Sequence, residues 1–158
     1  MQHGCKDFVS AKTFELMTFF NDKVDVHHVF PQAWCRKRGL DWKVYDSIVN
    51  KTPLSKRSNI LVSGDAPSIY LNRIEEKHGL TSAQLDDILR THLIEPSHLR
   101  TDDFDGFIAA RLDALSELIS SALDKPVIKR HGADEMELDL DDEDEDMTAE
   151  ADDDLATV

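Results

Sequence analysis

The 158-residue sequence is poor in the features that mark secreted and membrane-spanning proteins. Its two cysteines, Cys5 and Cys35, are too far apart for a CxxC zinc motif and too few for a disulfide framework. No apolar run reaches the roughly 18 residues that a membrane span needs, and no basic segment followed by an apolar core marks a signal peptide. We therefore expect a cytoplasmic protein that has no membrane partner.

The sequence also lacks a glycine-rich phosphate loop and a net positive charge. Its formal net charge is -14, but that charge is unevenly distributed. All 18 Lys and Arg lie between Lys6 and Arg130, whereas 14 of the 32 Asp and Glu lie between Asp134 and Asp154. Acidic and basic residues therefore balance before Asp134. We expect one domain over residues 1–130, followed by a disordered acidic tail over residues 131–158.

One segment of the domain is locally basic. Between Val26 and Ile60 the only acidic residues are Asp41 and Asp46, against seven basic ones: Arg36, Lys37, Arg38, Lys43, Lys51, Lys56 and Arg57. Such a segment suits an anionic partner.

The order of apolar and turn residues predicts an α+β fold that is mostly helical. The first half is expected to hold a short helix within residues 8–20 and a β-hairpin. The strands of that hairpin are predicted over residues 24–30, ended by Pro31, and over residues 47–52, ended by Pro53. Residues 32–38 are expected to form a short helix that Gly39 closes.

Three longer helices are predicted after the hairpin. The first is capped by Asp65, has Pro67 in its first turn and ends at Gly79. The second begins at a capping box of Thr81 and Gln84. The third, with a broad apolar stripe, starts at residues 101–103 and runs to about residue 125.

The most informative segment is Asp25-Val26-His27-His28-Val29-Phe30-Pro31, which is followed by Asn50 and, nine residues later, by Asn59. Two adjacent histidines and two amide side chains supply a proton acceptor and neutral metal ligands. Hydrolysis of a phosphodiester requires these groups.

Several motifs in order carry a family resemblance. They are the His-His segment, Asp46-Ser47-Ile48-Val49-Asn50-Lys51-Thr52-Pro53-Leu54-Ser55, then Asn59, then Ala66-Pro67-Ser68 with Tyr70-Leu71. Over roughly residues 5–125 the chain resembles the HNH-type C-terminal domain of GmrSD-like restriction endonucleases, which belongs to the His-Me finger, or ββα-metal, nucleases. It is also similar to the HNH domain of RNA-guided CRISPR nucleases.

The resemblance implies a role for each residue of the motif. It implies that His28 is the general base, that His27 and Asn59 are metal ligands, and that Asn50 steadies the hairpin. The implied cofactor is one divalent ion, Mg²⁺ or Mn²⁺. His27 stands where the family often has Asp, and an imidazole nitrogen is a softer ligand than a carboxylate oxygen. Zn²⁺, Ni²⁺ or Co²⁺ therefore also remain candidate ions.

Some interpretations remain open at this stage. Consecutive residues of a regular strand point to opposite faces, so we expect an irregularity at residues 27–29, with Asp25 as the replacement ligand if there is none. Asn59 is either a ligand or a helix cap. The cations Arg36, Lys37, Arg38, Lys56 and Arg57 either contact DNA phosphates or form a solvated basic face. The tryptophans Trp34 and Trp42 are expected to pack in the fold rather than stack on bases.

Two functions follow from these expectations. The first is a metal-dependent DNA endonuclease that acts in restriction of foreign or modified DNA. In related proteins an upstream NTP-hydrolysing domain often selects the target, so we expect a partner protein or a missing upstream domain. The alternative is an inactive or regulatory DNA-binding fragment of a larger restriction protein, whose acidic tail modulates DNA binding.

Overall fold

A computed structural model describes residues 4–14 and 25–127, with only the backbone of Asp25. Within these ranges the fold is α+β and mostly helical, with one two-stranded antiparallel sheet, which confirms the predicted class. The expected acidic tail lies outside the described residues. So does the second half of the helix expected within residues 8–20. No helix of the described ranges is long and apolar enough to cross a bilayer.

The sheet is a short hairpin of strand β1, Asp25–His28, and strand β2, Lys51–Leu54. His27 pairs with Thr52, and His28 pairs with Lys51. The first strand ends two residues earlier than predicted. The second strand begins at Lys51 rather than at residue 47, and the prediction that Pro53 ends it is wrong. Pro53 lies inside β2, opposite Val26. Since each strand of a two-stranded sheet is an edge, a proline without an N–H group is tolerated there.

The connection between the strands is largely helical. It contains helix α1, Gln32–Lys37, helix α2, Trp42–Tyr45, and a 3-10 turn over Ile48–Asn50. Helix α1 was predicted, and Gly39 takes a positive φ of 68° directly after it. Helix α2 was not predicted; its cap is the side chain of Asp41, which accepts a hydrogen bond from the backbone N–H of Lys43.

The N-terminal segment that the structure describes is a loop, so the helix expected from residue 8 is wrong over residues 8–14. The buried carboxylate of Asp7 accepts hydrogen bonds from the N–H groups of Val9 and Ser10, which offers the backbone an alternative to a helix. Asp7 also accepts from the backbone N–H of Ser55 and the hydroxyl of Ser58. The loop is thereby attached to the beginning of the helix that follows β2.

Up to residue 127, where the described part of the chain ends, five helices follow the hairpin: α3, Lys56–Val62; α4, Pro67–His78; α5, Ser82–Arg90; α6, Pro96–Arg100; and α7, Phe104–Leu123. The Thr81 and Gln84 capping box and the end of α4 at Gly79 are confirmed. The cap predicted at Asp65 is wrong. Ala66 occupies that position, and Asp65 instead forms an ion pair with Arg73, eight residues later in the second turn of α4. Helices α3 and α6 were not predicted.

The core lies between the hairpin and the helices, with Phe30 at its centre. Its ring centroid is 5.1 Å from that of Trp34, 5.3 Å from Phe104 and 5.0 Å from Phe107. Trp34 is therefore a packing residue, as expected. The same expectation is wrong for Trp42, whose side chain is 63% exposed.

Three side chains from outside the hairpin hold its backbone or its buried face. The Tyr70 hydroxyl on α4 donates to the carbonyl of Val29 at 3.0 Å. The Arg111 guanidinium on α7 donates to the carbonyl of Lys51 at 2.9 Å. The buried ring of His92, after α5, lies 2.7 Å from the hydroxyl of Thr52. The position of β1 and β2 is thus set by distant parts of the chain.

Candidate functional site

The two histidines stand at the point where β1 stops being a regular strand. The strand ends at His28, and Val29 and Phe30 form a bend in which both side chains are buried, at 1% and 0% exposure. The end of β1 thus falls within residues 27–29, where an irregularity was expected, and both histidines line one space.

That space is a cavity of about 340 Å³ lined by His27, His28, Gln32, Arg36 and Asn59, among others. The histidines come from the end of β1, Gln32 and Arg36 come from successive turns of α1, and Asn59 comes from α3. Arg36 donates to the side-chain oxygen of Gln32 at 2.8 Å, which orients both side chains. The cavity therefore gathers imidazole, amide and guanidinium groups.

Asn59 lies in the middle of α3 and lines the cavity with a partly buried side chain. The cap of α3 is Ser55, whose hydroxyl accepts from the N–H of Ser58 at 3.2 Å. The interpretation of Asn59 as a helix cap is therefore wrong. The sequence analysis did not predict α3, although serine, the residue at position 55, is among the preferred helix caps.

Asn50 does not line the cavity and is fully buried behind it. Its side-chain oxygen accepts from the N–H of Phe30 at 2.8 Å. Its amide nitrogen donates to the carbonyl of Phe30 at 2.9 Å and to the carbonyl of Tyr45 at 2.8 Å. One side chain thus joins the end of β1 to α2 and to the approach to β2.

Asp46, between α2 and the 3-10 turn, was missed as a site residue. Its Oδ1 atom lies 2.8 Å from Nε2 of His28, 3.0 Å from Nζ of Lys51 and 3.2 Å from Nε2 of Gln32. Lys51 first, and then His28, lower the pKa of this carboxyl to about 2. Since 18 residues separate Asp46 from His28, no local periodicity connects them, and the fold alone brings them together.

The five predicted DNA-phosphate residues do not form one cluster. Arg36 lines the cavity with the histidines, whereas Arg57 lines a separate cavity of about 310 Å³ with Lys77 and His78. The Arg38 guanidinium lies 4.2 Å from the centroid of the Trp34 ring, in a cation–π contact. The remaining two are the exposed residues Lys37 and Lys56. Sequence reasoning did not select Lys77 or His78.

The donors available for a metal ion are few. Among residues 4–14 and 25–127 there is no group of three or more His, Cys, Asp or Glu side chains that could hold an ion. His27 and Asn59 share the cavity, and the side chain of Asp25 lies outside the described structure. An imidazole nitrogen and an amide oxygen fit a divalent ion that keeps its other positions for water and phosphate oxygens.

Comparison with known proteins finds a distant relative. The chain is 30% identical over 123 residues to an uncharacterized protein of Methanocaldococcus jannaschii, in an alignment that takes in 62% of this chain and 21% of the relative. The chain thus spans about a fifth of that protein's length. No family model matches the sequence, and no solved structure matches it. Because the relative is itself uncharacterized, the match brings no activity to this chain.

Proposed function

We propose that this chain is an HNH-type, metal-dependent DNA endonuclease that hydrolyses phosphodiester bonds in restriction of foreign or modified DNA. The observation that carries the proposal is the single cavity lined by His27, His28 and Asn59. Two histidines on opposite faces of the hairpin, with Asn59 remote from both, would have made a shared reaction site impossible.

The order of the elements adds support. His28 ends β1, Asn50 immediately precedes β2, and Asn59 lies on α3 directly after β2. This strand, strand and helix order is the one that the resemblance to ββα-metal nucleases implies. The long connection between the strands supplies Asn50, which fixes the end of β1 by two hydrogen bonds to Phe30.

His28 is the proposed general base. Its side chain is 20% exposed, so water reaches it while the fold still holds the ring. A neutral imidazole accepts the proton of a water molecule as its oxygen attacks phosphorus, a step worth on the order of 10² to 10⁴ in rate. Arg36, in the same cavity, is placed to neutralise a phosphate oxygen.

His27 and Asn59 would hold one divalent ion, with Asp25 as a third candidate ligand. When bound, such an ion neutralises charge on the phosphate and on the leaving oxygen. Mg²⁺ and Mn²⁺ are the proposed ions, and the imidazole of His27 also admits Zn²⁺, Ni²⁺ or Co²⁺. His27 and Asn59 come from different elements, so the packing of α3 against the hairpin sets their separation.

DNA is the proposed substrate because cations line both cavities that flank α3, with Arg36 in one and with Arg57 and Lys77 in the other. Choice of a target sequence or modification is assigned to a partner protein or to an upstream NTP-hydrolysing domain, as in the proteins that the chain resembles.

Cleavage of supercoiled plasmid by the purified chain tests the proposal. We expect Mg²⁺ or Mn²⁺ to support nicking, EDTA to stop it and His28→Ala to reduce it by about 10² or more. His98→Ala is the matched control, because His98 lies on α6 and does not line the cavity. Equal cleavage by the His28→Ala variant would remove the base assignment.

The result also separates the second candidate function, an inactive or regulatory DNA-binding fragment. A chain that binds DNA in a salt-dependent manner, but cleaves it with none of the five metals named above, would support that function. The cavity beside Arg57 favours this candidate, because it offers the cations Arg57 and Lys77 to a DNA backbone at a place apart from His27, His28 and Asn59.

A further inference from the structure

The contacts of Asp46 determine which nitrogen of the His28 ring carries a proton. Three polar groups from three elements converge on one oxygen of this carboxylate: His28 from β1, Gln32 from α1 and Lys51 from β2. Asp46 itself is 43% exposed and belongs to no helix or strand. A carboxylate that lies against the ammonium group of Lys51 and the amide N–H of Gln32 is ionised, and an ionised carboxylate can only accept hydrogen bonds.

The hydrogen between His28 and Asp46 must then belong to Nε2 of the ring. The oxygen of Gln32 accepts from Arg36, so its nitrogen is the atom that faces Asp46 and lies 3.4 Å from Nε2 of His28. That long contact would be a hydrogen bond only if Nε2 carried no hydrogen. The 2.8 Å contact between Nε2 and the ionised carboxylate excludes this, because two lone pairs would then face each other.

A neutral imidazole has one N–H group, so a hydrogen on Nε2 leaves the lone pair on Nδ1. We propose that Asp46 is a positioning residue that holds the His28 ring in the Nε2–H form, so that Nδ1 is the nitrogen that receives the proton from the attacking water. This role rests on the proposed hydrolytic function for its consequence in catalysis. The fixed orientation of the ring does not depend on that function.

Lys51 and Gln32 strengthen the arrangement. Lys51 lies opposite His28 in the sheet, so its ammonium group reaches Asp46 from the neighbouring strand. Gln32 connects Asp46 to Arg36 through one amide group. A phosphate that engages Arg36 would therefore be linked through Gln32 and Asp46 to the ring that takes the proton.

The direct test is the tautomer of His28 in the metal-free, DNA-free protein. Long-range ¹H–¹⁵N correlation spectra of ¹⁵N-histidine-labelled chain, recorded at alkaline pH where the imidazole is neutral, distinguish the protonated from the unprotonated ring nitrogen. We expect the Nε2–H form to dominate in the wild type. We expect Asp46→Ala to give a mixture of both forms. Asp41→Ala is the matched control, because it removes the exposed carboxylate at the other end of α2, whose side chain caps that helix and accepts from Lys43 rather than from His28.

The kinetic test separates positioning from DNA binding. Removal of a group that orients a reacting or ligating side chain typically costs about 10- to 100-fold, and we expect Asp46→Ala to lower kcat by that factor with KM changed less than about twofold. Lys51→Met should keep the Nε2–H form, because the contact between Asp46 and His28 remains.

Two results would overturn the inference. One is a wild-type ring in the Nδ1–H form or in an even mixture, and the other is a tautomer ratio that Asp46→Ala leaves unchanged. Because the spectra need neither metal nor DNA, they decide the inference even if the chain cleaves no substrate, which would instead refute the proposed function. A raised KM with an unchanged kcat would show that Asp46 serves binding and would also reject the positioning role.

Discussion

Replacement of Asn50 by alanine is expected to be among the most destabilising single changes in this fold. Asn50 has no exposed surface and makes three hydrogen bonds, to the N–H and C=O groups of Phe30 and to the C=O group of Tyr45. A buried backbone group left without a partner costs about 1 to 3 kcal/mol. The Phe30 carbonyl keeps the weak thiol donor of Cys35, so two groups lose every partner and the third loses its stronger one. The expected loss is about 3 to 5 kcal/mol, a large part of the roughly 5 to 15 kcal/mol that stabilises a typical domain.

Urea denaturation monitored by tryptophan fluorescence measures this loss. Trp34 is buried and reports the transition, whereas the exposed Trp42 contributes little change. With a typical slope of about 2 kcal/mol per molar urea, the midpoint should fall by about 2 M. Asn72→Ala is the matched control, because Asn72 is exposed on α4, and it should change stability by less than about 0.5 kcal/mol.

A loss below about 1 kcal/mol for Asn50→Ala would refute this reasoning. It would mean that water or a shifted backbone satisfies the groups of Phe30 and Tyr45. Asn50→Asp is a second check. Its carboxylate would place an oxygen against the two carbonyls that now receive the amide hydrogens, so it should destabilise at least as much as alanine.

Further predictions concern pH, ion pairs and the tail. Burial lowers the pKa of His92 to about 4 from an ordinary value near 6.5, so between these pH values the unfolded chain binds a proton that the folded chain does not bind. The free energy of unfolding should therefore fall by about 3 kcal/mol as the pH drops from 6.5 to 4. His92→Gln should flatten this part of the plot of stability against pH. A His92→Gln curve parallel to the wild type would contradict that pKa. Arg100 donates to Glu75 and Asp86 at partly buried positions, so Arg100→Leu should lower the free energy of unfolding in urea by about 2 kcal/mol. Arg90→Leu breaks only the exposed pair with Asp87 and should cost less than about 0.5 kcal/mol. Equal losses would contradict the prediction that the Arg100 pairs stabilise the fold more than an exposed pair does. If the acidic tail screens the basic segment from DNA, deletion of residues 133–158 should raise DNA affinity several-fold at low salt and leave it unchanged at high salt. Equal affinities of the full chain and the shortened chain at low salt would exclude this screening.

Local patterns predicted the elements whose signals lie within a few residues. The capping box of Thr81 and Gln84 and the glycine at position 79 define helix ends through contacts within one turn, and both are confirmed. The hairpin was predicted because apolar and polar residues alternate through β1. The second strand was misplaced because Pro53 was taken as its end, whereas a two-stranded sheet has no inner strand that would exclude proline.

The predictions that failed depend on contacts that reach beyond one helical turn. Asp65 was predicted to cap α4, yet it pairs with Arg73 eight residues later. The helix predicted from residue 8 is replaced by a loop that Asp7 anchors to Ser55 and Ser58. The candidate site shows the same division. The motif spacing brought His27, His28 and Asn59 to attention, and the structure places them around one cavity. The partner of His28, Asp46, gave no signal, because only the path of the chain through α2 brings it to the ring.

The hairpin that carries the two histidines has only four residues in each strand. A sheet of that size is marginally stable in water by itself. Its geometry is maintained by Tyr70, His92 and Arg111, which belong to segments as much as 60 residues away from their partners in sequence. The segment from β1 to α3 therefore lacks the contacts that hold its hairpin in place, and it would not keep this geometry if it were transferred to another protein by itself. An engineer who grafts these histidines into another scaffold would have to carry α4 and α7 along, or redesign the three supports that those segments and the turn after α5 provide.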